Sequence, residues 1–122
     1  MMRARRPAAP VPTEQQVQYA IRHALTMLGL RCERLNSGAM AATYKGRTRF
    51  LRFTFAGCTD LVALLPDGRT LWCECKRPGG KLTEDQAAFR DDCKRNNVPW
   101  VLGDSVDAVL SYLREIGVRC GR

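Results

Sequence analysis

The chain holds a single histidine, and its six cysteines contain no C-x-x-C pair. Those two absences exclude the usual ligand spacings of a structural zinc site and argue against a disulfide framework. Cys32, Cys58, Cys73, Cys75, Cys93 and Cys120 sit mostly in apolar stretches, where cysteine behaves as a small hydrophobe. A reducing, cytoplasmic setting is the simplest expectation. No apolar run approaches the roughly 18 residues needed to cross a bilayer, and none follows the N-terminal arginines, so neither a membrane span nor a secretory signal is expected. Acidic residues are the minority charge, 12 against 20 Lys plus Arg, for a net charge of +8. That balance favours a polyanionic partner, with nucleic acid first.

The chain has 122 residues, of which 45 % are hydrophobic, enough for one domain with a packed core. Residues 1–12 read as a flexible basic arm, with Arg3, Arg5 and Arg6 followed by Pro7, Pro10 and Pro12. Residues 13–122 then form a single domain. A helix is expected from Thr13 to Leu28, opened by a Thr13/Gln16 capping box and closed at Gly29. Val17, Ile21, Ala24, Leu25 and Leu28 give it an apolar stripe. Glu14 lies on that stripe, so its carboxylate is expected on the interior side, whereas His23 falls opposite and in solvent. Residues 31–46 are weakly patterned, with a turn at Asn36-Ser37-Gly38. Strands are expected at 47–55, 60–65 and 70–76, the last two joined by the Pro66-Asp67-Gly68 turn. A second capping box, Thr83/Gln86, opens a helix to Asn96. A buried strand at 98–102 and a helix capped by Asp104 or Ser105 complete an α-β-β-β-α-β-α order. The unit from 70 to 102 requires its last strand to run parallel to the third, so the sheet is mixed and flanked by helices.

Side chains alternate faces along a strand. Leu71, Cys73 and Cys75 therefore share one face of the 70–76 strand, and Trp72, Glu74 and Lys76 share the other. Glu74 and Lys76 stand about 7 Å apart by strand rise. Folding back at the 66–68 turn brings Asp60 beside them. Phosphodiester hydrolysis needs such a set, because an anionic ester repels a hydroxide nucleophile. A divalent cation on hard carboxylate oxygens offsets that charge and lowers the pKa of water. Asp60 and Glu74 supply two carboxylates, the Cys75 backbone carbonyl a third oxygen, and Lys76 a group to position or deprotonate water. All-oxygen ligation suits Mg²⁺ or Mn²⁺. The bare Asp…Glu-x-Lys pattern is also that of a surface ion-pair cluster. Gln86 shares an inward helix face with Phe89 and Cys93, which fits either a helix cap or a place beside the metal.

Gly57-Cys58-Thr59-Asp60, Glu74-Cys75-Lys76 and Gly79-Gly80-Lys81-Leu82-Thr83-Glu84-Asp85-Gln86 together resemble the VRR-NUC domain of the PD-(D/E)XK nuclease superfamily. Thr13-Glu14 and Asn36-Ser37-Gly38 fit the upstream pattern, and the resemblance spans about residues 13 to 115. It implies a restriction-endonuclease-like αβββαβ core. It also implies Asp60 and Glu74 as metal ligands, Lys76 as the catalytic lysine, Gln86 as the motif glutamine and Glu14 as a helix-1 acid near the metal. Thr59 departs from the pattern, which often places proline there; no ligand is lost by the change.

The resemblance further implies a Mg²⁺- or Mn²⁺-dependent DNA endonuclease with no small-molecule cofactor. Minimal members act as homodimers on branched DNA, in a bacterial or phage-infected cytoplasm. Asn36, Lys45, Arg47, Arg49, Arg52 and Lys81 are candidates for phosphate contacts. The alternative is a non-cleaving DNA-binding module on a nuclease fold, which the intact Asp60, Glu74 and Lys76 argue against.

Overall fold

A computed structural model describes residues 9–35, 39–52 and 54–120. The expected arm falls largely outside them; its residues 9–12 are exposed and outside regular structure. The elements are α1 (Glu14–Met27), β1 (Cys32–Arg34), β2 (Ala39–Tyr44), β3 (Arg47–Arg52), β4 (Leu61–Leu64), β5 (Thr70–Cys75), α2 (Glu84–Arg95), β6 (Trp100–Gly103) and α3 (Val106–Glu115). No helix among the described residues is long and apolar enough to cross a membrane.

Both capping boxes form. Thr13 Oγ1 accepts from Gln16 N at 3.1 Å while Thr13 N donates to Gln16 Oε1 at 2.9 Å. Thr83 and Gln86 repeat the pair at 3.2 and 2.9 Å. Each box satisfies two amide donors that a helix start would otherwise leave unpaired. Ser105, one of the two expected caps, opens α3 by accepting from Ala108 N.

The central sheet has four strands in the order β1-β4-β5-β6. β1–β4 and β4–β5 are antiparallel and β5–β6 is parallel, so the expected mixed sheet is observed. Gly68, at φ +91°, closes the β4–β5 turn, with Leu65 N donating to Arg69 O. Val17, Ile21 and Leu25 of α1 and Val109 and Leu113 of α3 pack with Leu71, Cys73 and Cys75 in one buried cluster. α2 lies on the other face, where Phe89 meets Trp72 edge-on with ring centroids 5.3 Å apart. Gly103 marks the tightest approach of α1, α3 and β5. A Cβ there would stand 2.7 Å from Ile21 Cδ1 and 2.9 Å from Cys73 Sγ.

Two expectations about the first half of the chain are corrected. The 47–55 strand is not a member of the central sheet. Its β3 part, Arg47–Arg52, pairs among the described residues with β2, in a separate two-stranded sheet. The sheet position expected for it is taken by β1, three residues inside the stretch that carried little pattern. With the β2–β3 hairpin set aside as an insertion, α1-β1-β4-β5-α2-β6 is the αβββαβ core. A strand of three residues is too short to show alternation, whereas the Arg and Phe alternation of 47–55 is a real strand signal that says nothing of which sheet the strand joins.

Candidate active site

The β4–β5 register pairs Leu61 with Cys73, which sets Asp60 and Glu74 side by side at the same end of the hairpin. Asp60 is held on both sides. Its carbonyl accepts from Leu35 N at 2.7 Å, and its Oδ2 accepts from Cys75 N at 2.9 Å. The second bond uses the donor that β5 presents once β4 has ended. In a strand, a residue's N–H and C=O point to the same edge, so the Cys75 carbonyl faces the edge on which Asp60 stands.

Glu74 is only 1 % exposed. Its Oε1 accepts from Gln86 Nε2 at 3.0 Å and lies 3.9 Å from Lys76 Nζ. Its Oε2 is buried with no hydrogen-bond partner. Burial, reinforced by the neighbouring Asp60 carboxylate and by Glu14, pushes the Glu74 carboxyl up to about 8, against the opposing pull of Lys76. Carboxylate oxygens of Glu14, Asp60 and Glu74 lie within 4.8 Å of one another. Three clustered acids, one of them buried with an unpartnered oxygen, form a costly arrangement for the protein alone. A hard divalent cation fits that donor set, since it would give Glu74 Oε2 a partner and separate the three negative charges.

Gln86 makes the expected helix cap and also bonds Glu74, with opposite ends of one amide. Oε1 completes the α2 capping box and Nε2 holds Glu74. The expectation for Glu14 is corrected in one respect. As a residue it is exposed, not interior. It stands in the first turn of α1, where a short reach suffices to bring its carboxylate to the cluster. His23 is exposed and stacks on Tyr19, as a solvated histidine would.

Of the phosphate-contact candidates, Lys45, Arg47 and Lys81 are exposed. Lys81 lies between β5 and α2, and the other two at the β2–β3 tip. Arg49 and Arg52 occupy β3, with only their backbone described, and Asn36 lies outside the described residues.

Sequence reasoning gave no individual role to Gly57. It sits at φ +83°, and a Cβ there would collide with the Asp85 carbonyl and stand 3.1 Å from Gln86 N. The loop leading to Asp60 thus lies directly on the start of α2, which aligns Asp60 with Gln86. The glycine in Gly-Cys-Thr-Asp was the available signal, but only the contact gives its reason. Thr59, fully buried, donates its hydroxyl to Leu61 O at 3.0 Å, holding the backbone before Asp60 where proline would restrain it by its ring. Phe55 was placed in a strand by alternation; it instead packs beyond β3 against Phe89 and Trp72, with centroids 4.9 and 6.3 Å away. All six cysteines are free thiols, and all but Cys120 are buried. Burial raises the Cys32 thiol to about 11, and Cys75, 4.0 Å from Cys73 Sγ, is raised as well.

No protein-family profile matches the sequence, and no curated protein matches it either. Among solved structures the chain is similar to a VRR_NUC domain at 20 % identity and a TM-score of 0.57, over 85 % of this chain and 97 % of that one. The likeness extends across almost the whole of the compared domain, and it establishes that this chain has the VRR_NUC fold.

Proposed function

We propose that the chain is a divalent-metal-dependent endodeoxyribonuclease of the VRR-NUC family in the PD-(D/E)XK superfamily. The observation that carries this reading is the buried Glu74 carboxyl, whose Oε2 has no hydrogen-bond partner, clustered with Asp60 and Glu14 so that carboxylate oxygens of the three lie within 4.8 Å of one another. Asp60, Glu74 and the Cys75 carbonyl would hold the ion, with Glu14 as a further ligand. Bound there, Mg²⁺ or Mn²⁺ supplies Lewis acidity that offsets phosphate charge and lowers the pKa of water.

The chain's own residues do the rest. Lys76 stands with its side chain 12 % exposed, sheltered enough to act at short range on an attacking water or on the developing oxyanion. Gln86 fixes the Glu74 rotamer through its 3.0 Å bond. The Cys75 N–H fixes Asp60 in the same way at 2.9 Å. The net charge of +8 favours DNA as the substrate. Branched DNA is the substrate class proposed. Symmetric cleavage of a four-way junction requires two sites related by a two-fold axis, so one such domain would act as a homodimer.

The test is cleavage of labelled four-way junction, flap and duplex DNA with Mg²⁺ or Mn²⁺. Wild type is expected to cut the branched substrates preferentially, and Lys76→Ala to lose at least about 10²-fold in rate while staying folded. Wild type that is stabilised by Mn²⁺ yet cuts none of the three would overturn the proposal.

A further inference from the structure

β2 and β3 pair antiparallel from Ala39↔Arg52 to Tyr44↔Arg47. Lys45 and Gly46, at φ 49° and 73°, form the tip. Two successive positive dihedrals characterise the tight hairpin turn whose twist matches its strands, so the tip fixes the register. Among the described residues, the two strands touch each other and no other helix or strand. Thr43, Lys45, Gly46, Arg47 and Thr48 are all exposed. A two-stranded ribbon is marginal in water, and among the described residues this one meets no other helix or strand, so a partner outside the domain is the place to seek its purpose.

Charge indicates where. Between Glu33 and Asp60 the chain has no acidic residue, and its bases are Arg34, Lys45, Arg47, Arg49 and Arg52. Apart from the N-terminal arm, acids and bases are interspersed elsewhere; here one sign is concentrated on a ribbon that, among the described residues, meets no other helix or strand. The ribbon is also rooted at the candidate site. Upstream, Leu35 N donates to Asp60 O at 2.7 Å. Downstream, Gly57 seats the returning chain against Asp85 and Gln86. The chain on either side of the ribbon thus adjoins Asp60 and Gln86.

We propose that the β2–β3 ribbon is a duplex-DNA arm that enters the major groove. A B-form major groove, about 12 Å wide and 8.5 Å deep, admits a two-stranded ribbon, and six residues of strand reach about 20 Å. Phosphates line both walls of the groove, matching a ribbon with bases and no acids. That the grip delivers a phosphate to the acids rests on the nuclease reading; the grip itself does not.

The experiment uses the full chain carrying Lys45→Gln, Arg47→Gln, Arg49→Gln and Arg52→Gln together, with Arg47→Glu alone as a milder second variant. Binding to a DNA duplex and to an RNA duplex of the same sequence is followed by anisotropy in EDTA across a salt series. Hydrolysis of bis(p-nitrophenyl) phosphate with Mn²⁺ is measured alongside. The fourfold variant should show a DNA salt slope shallower by about 3 to 4, and the single variant a smaller change of the same sign. RNA binding should change less, because the A-form major groove is too narrow for a ribbon. Hydrolysis of the small ester by the wild-type chain reads the acid cluster separately from the salt slope. An unchanged slope overturns the arm, as does an equal loss on DNA and RNA, or tighter binding to anionic vesicles or an acidic protein than to DNA. Ester hydrolysis with an unchanged slope retires the arm and leaves the nuclease reading. Absent hydrolysis with the expected slope change retires that reading and supports the arm.

Discussion

Leu71, Cys73 and Cys75 on one face of β5, and Glu74 on the other, are each no more than 1 % exposed. Burial does opposite things on the two faces. On the first, apolar side chains meet α1 and α3, and removal from water stabilises the fold. On the second, the same degree of burial strips a carboxyl of solvent beside Asp60 and leaves Glu74 Oε2 unpartnered. One strand thus carries a stabilising face and a destabilised one, a single residue out of step. What α2 contributes to the second face is an amide donor from Gln86 and the ring of Phe89, which with Phe55 packs against Trp72. The comparison teaches that the strand's stability and its chemistry are separable by residue.

The largest test of that separation is Leu71→Ala. Leu71 is fully buried in the main cluster, so truncation removes its packing and leaves a cavity. The expected loss is about 2 to 5 kcal/mol of unfolding free energy, measured by urea denaturation. The fraction that remains folded should bind Mn²⁺ with unaltered affinity. A parallel collapse of metal affinity would show that the two faces are coupled.

Glu74→Gln should act in the opposite direction. The carboxyl of Glu74 is raised from an ordinary value near 4.5 to about 8. Folding therefore favours its protonated form: the associated stability is fully present below about 4.5 and is lost as pH rises through about 8. Metal-free wild type should lose thermal stability from pH 5 to pH 9. The shifted thiols and the Asp67 carboxyl begin from ordinary values of 9.0 and 3.8, so they act mainly outside this window. Mn²⁺, which binds the deprotonated carboxylates, should reverse the trend and stabilise most at the alkaline end. Glu74→Gln should flatten the metal-free profile, be more stable than wild type by about 1 to 3 kcal/mol at pH 9, and lose the Mn²⁺ response. Metal-free stability that climbs from pH 5 to 9 in wild type would contradict the account of this face.

The separation also explains what the sequence could disclose. Capping boxes, the Pro66–Gly68 turn and the alternation of 71–76 are local signals, each decided by residues a few positions apart, and each is realised. The pairing of Asp60 with Glu74 follows by counting outward from that turn. The three-residue β1 carries too little sequence to be legible, and it takes its place because β4 offers an edge with the register Cys32↔Ala63 to Arg34↔Leu61. The 47–55 strand misled because alternation reports a pleated surface and not its partner. Gly57 and the exposure of Glu14 depend on how a loop and a helix end sit on neighbours distant in sequence. The ring contacts of Phe55 depend on them too, and no periodicity encodes them.

The smallest expected effect concerns Gln86, and it decides whether the second face is held by the amide or merely capped by it. Gln86 Oε1 serves Thr83 N at 2.9 Å and Nε2 serves Glu74 Oε1 at 3.0 Å. Gln86→Ala removes both, at about 1 kcal/mol for a lost capping interaction. Gln86→Glu keeps an acceptor for Thr83 N but replaces the donor to Glu74 with another carboxyl. At pH 5, where Glu74 is protonated and can itself donate, the Glu variant should melt above the Ala variant. At pH 9 without metal, facing carboxylates repel, and the order should invert. Added Mn²⁺ should narrow the gap by supplying the charge that Nε2 no longer offers. If the Glu variant stays above the Ala variant at both pH values, the amide acts through the cap alone and Glu74 keeps its place without it.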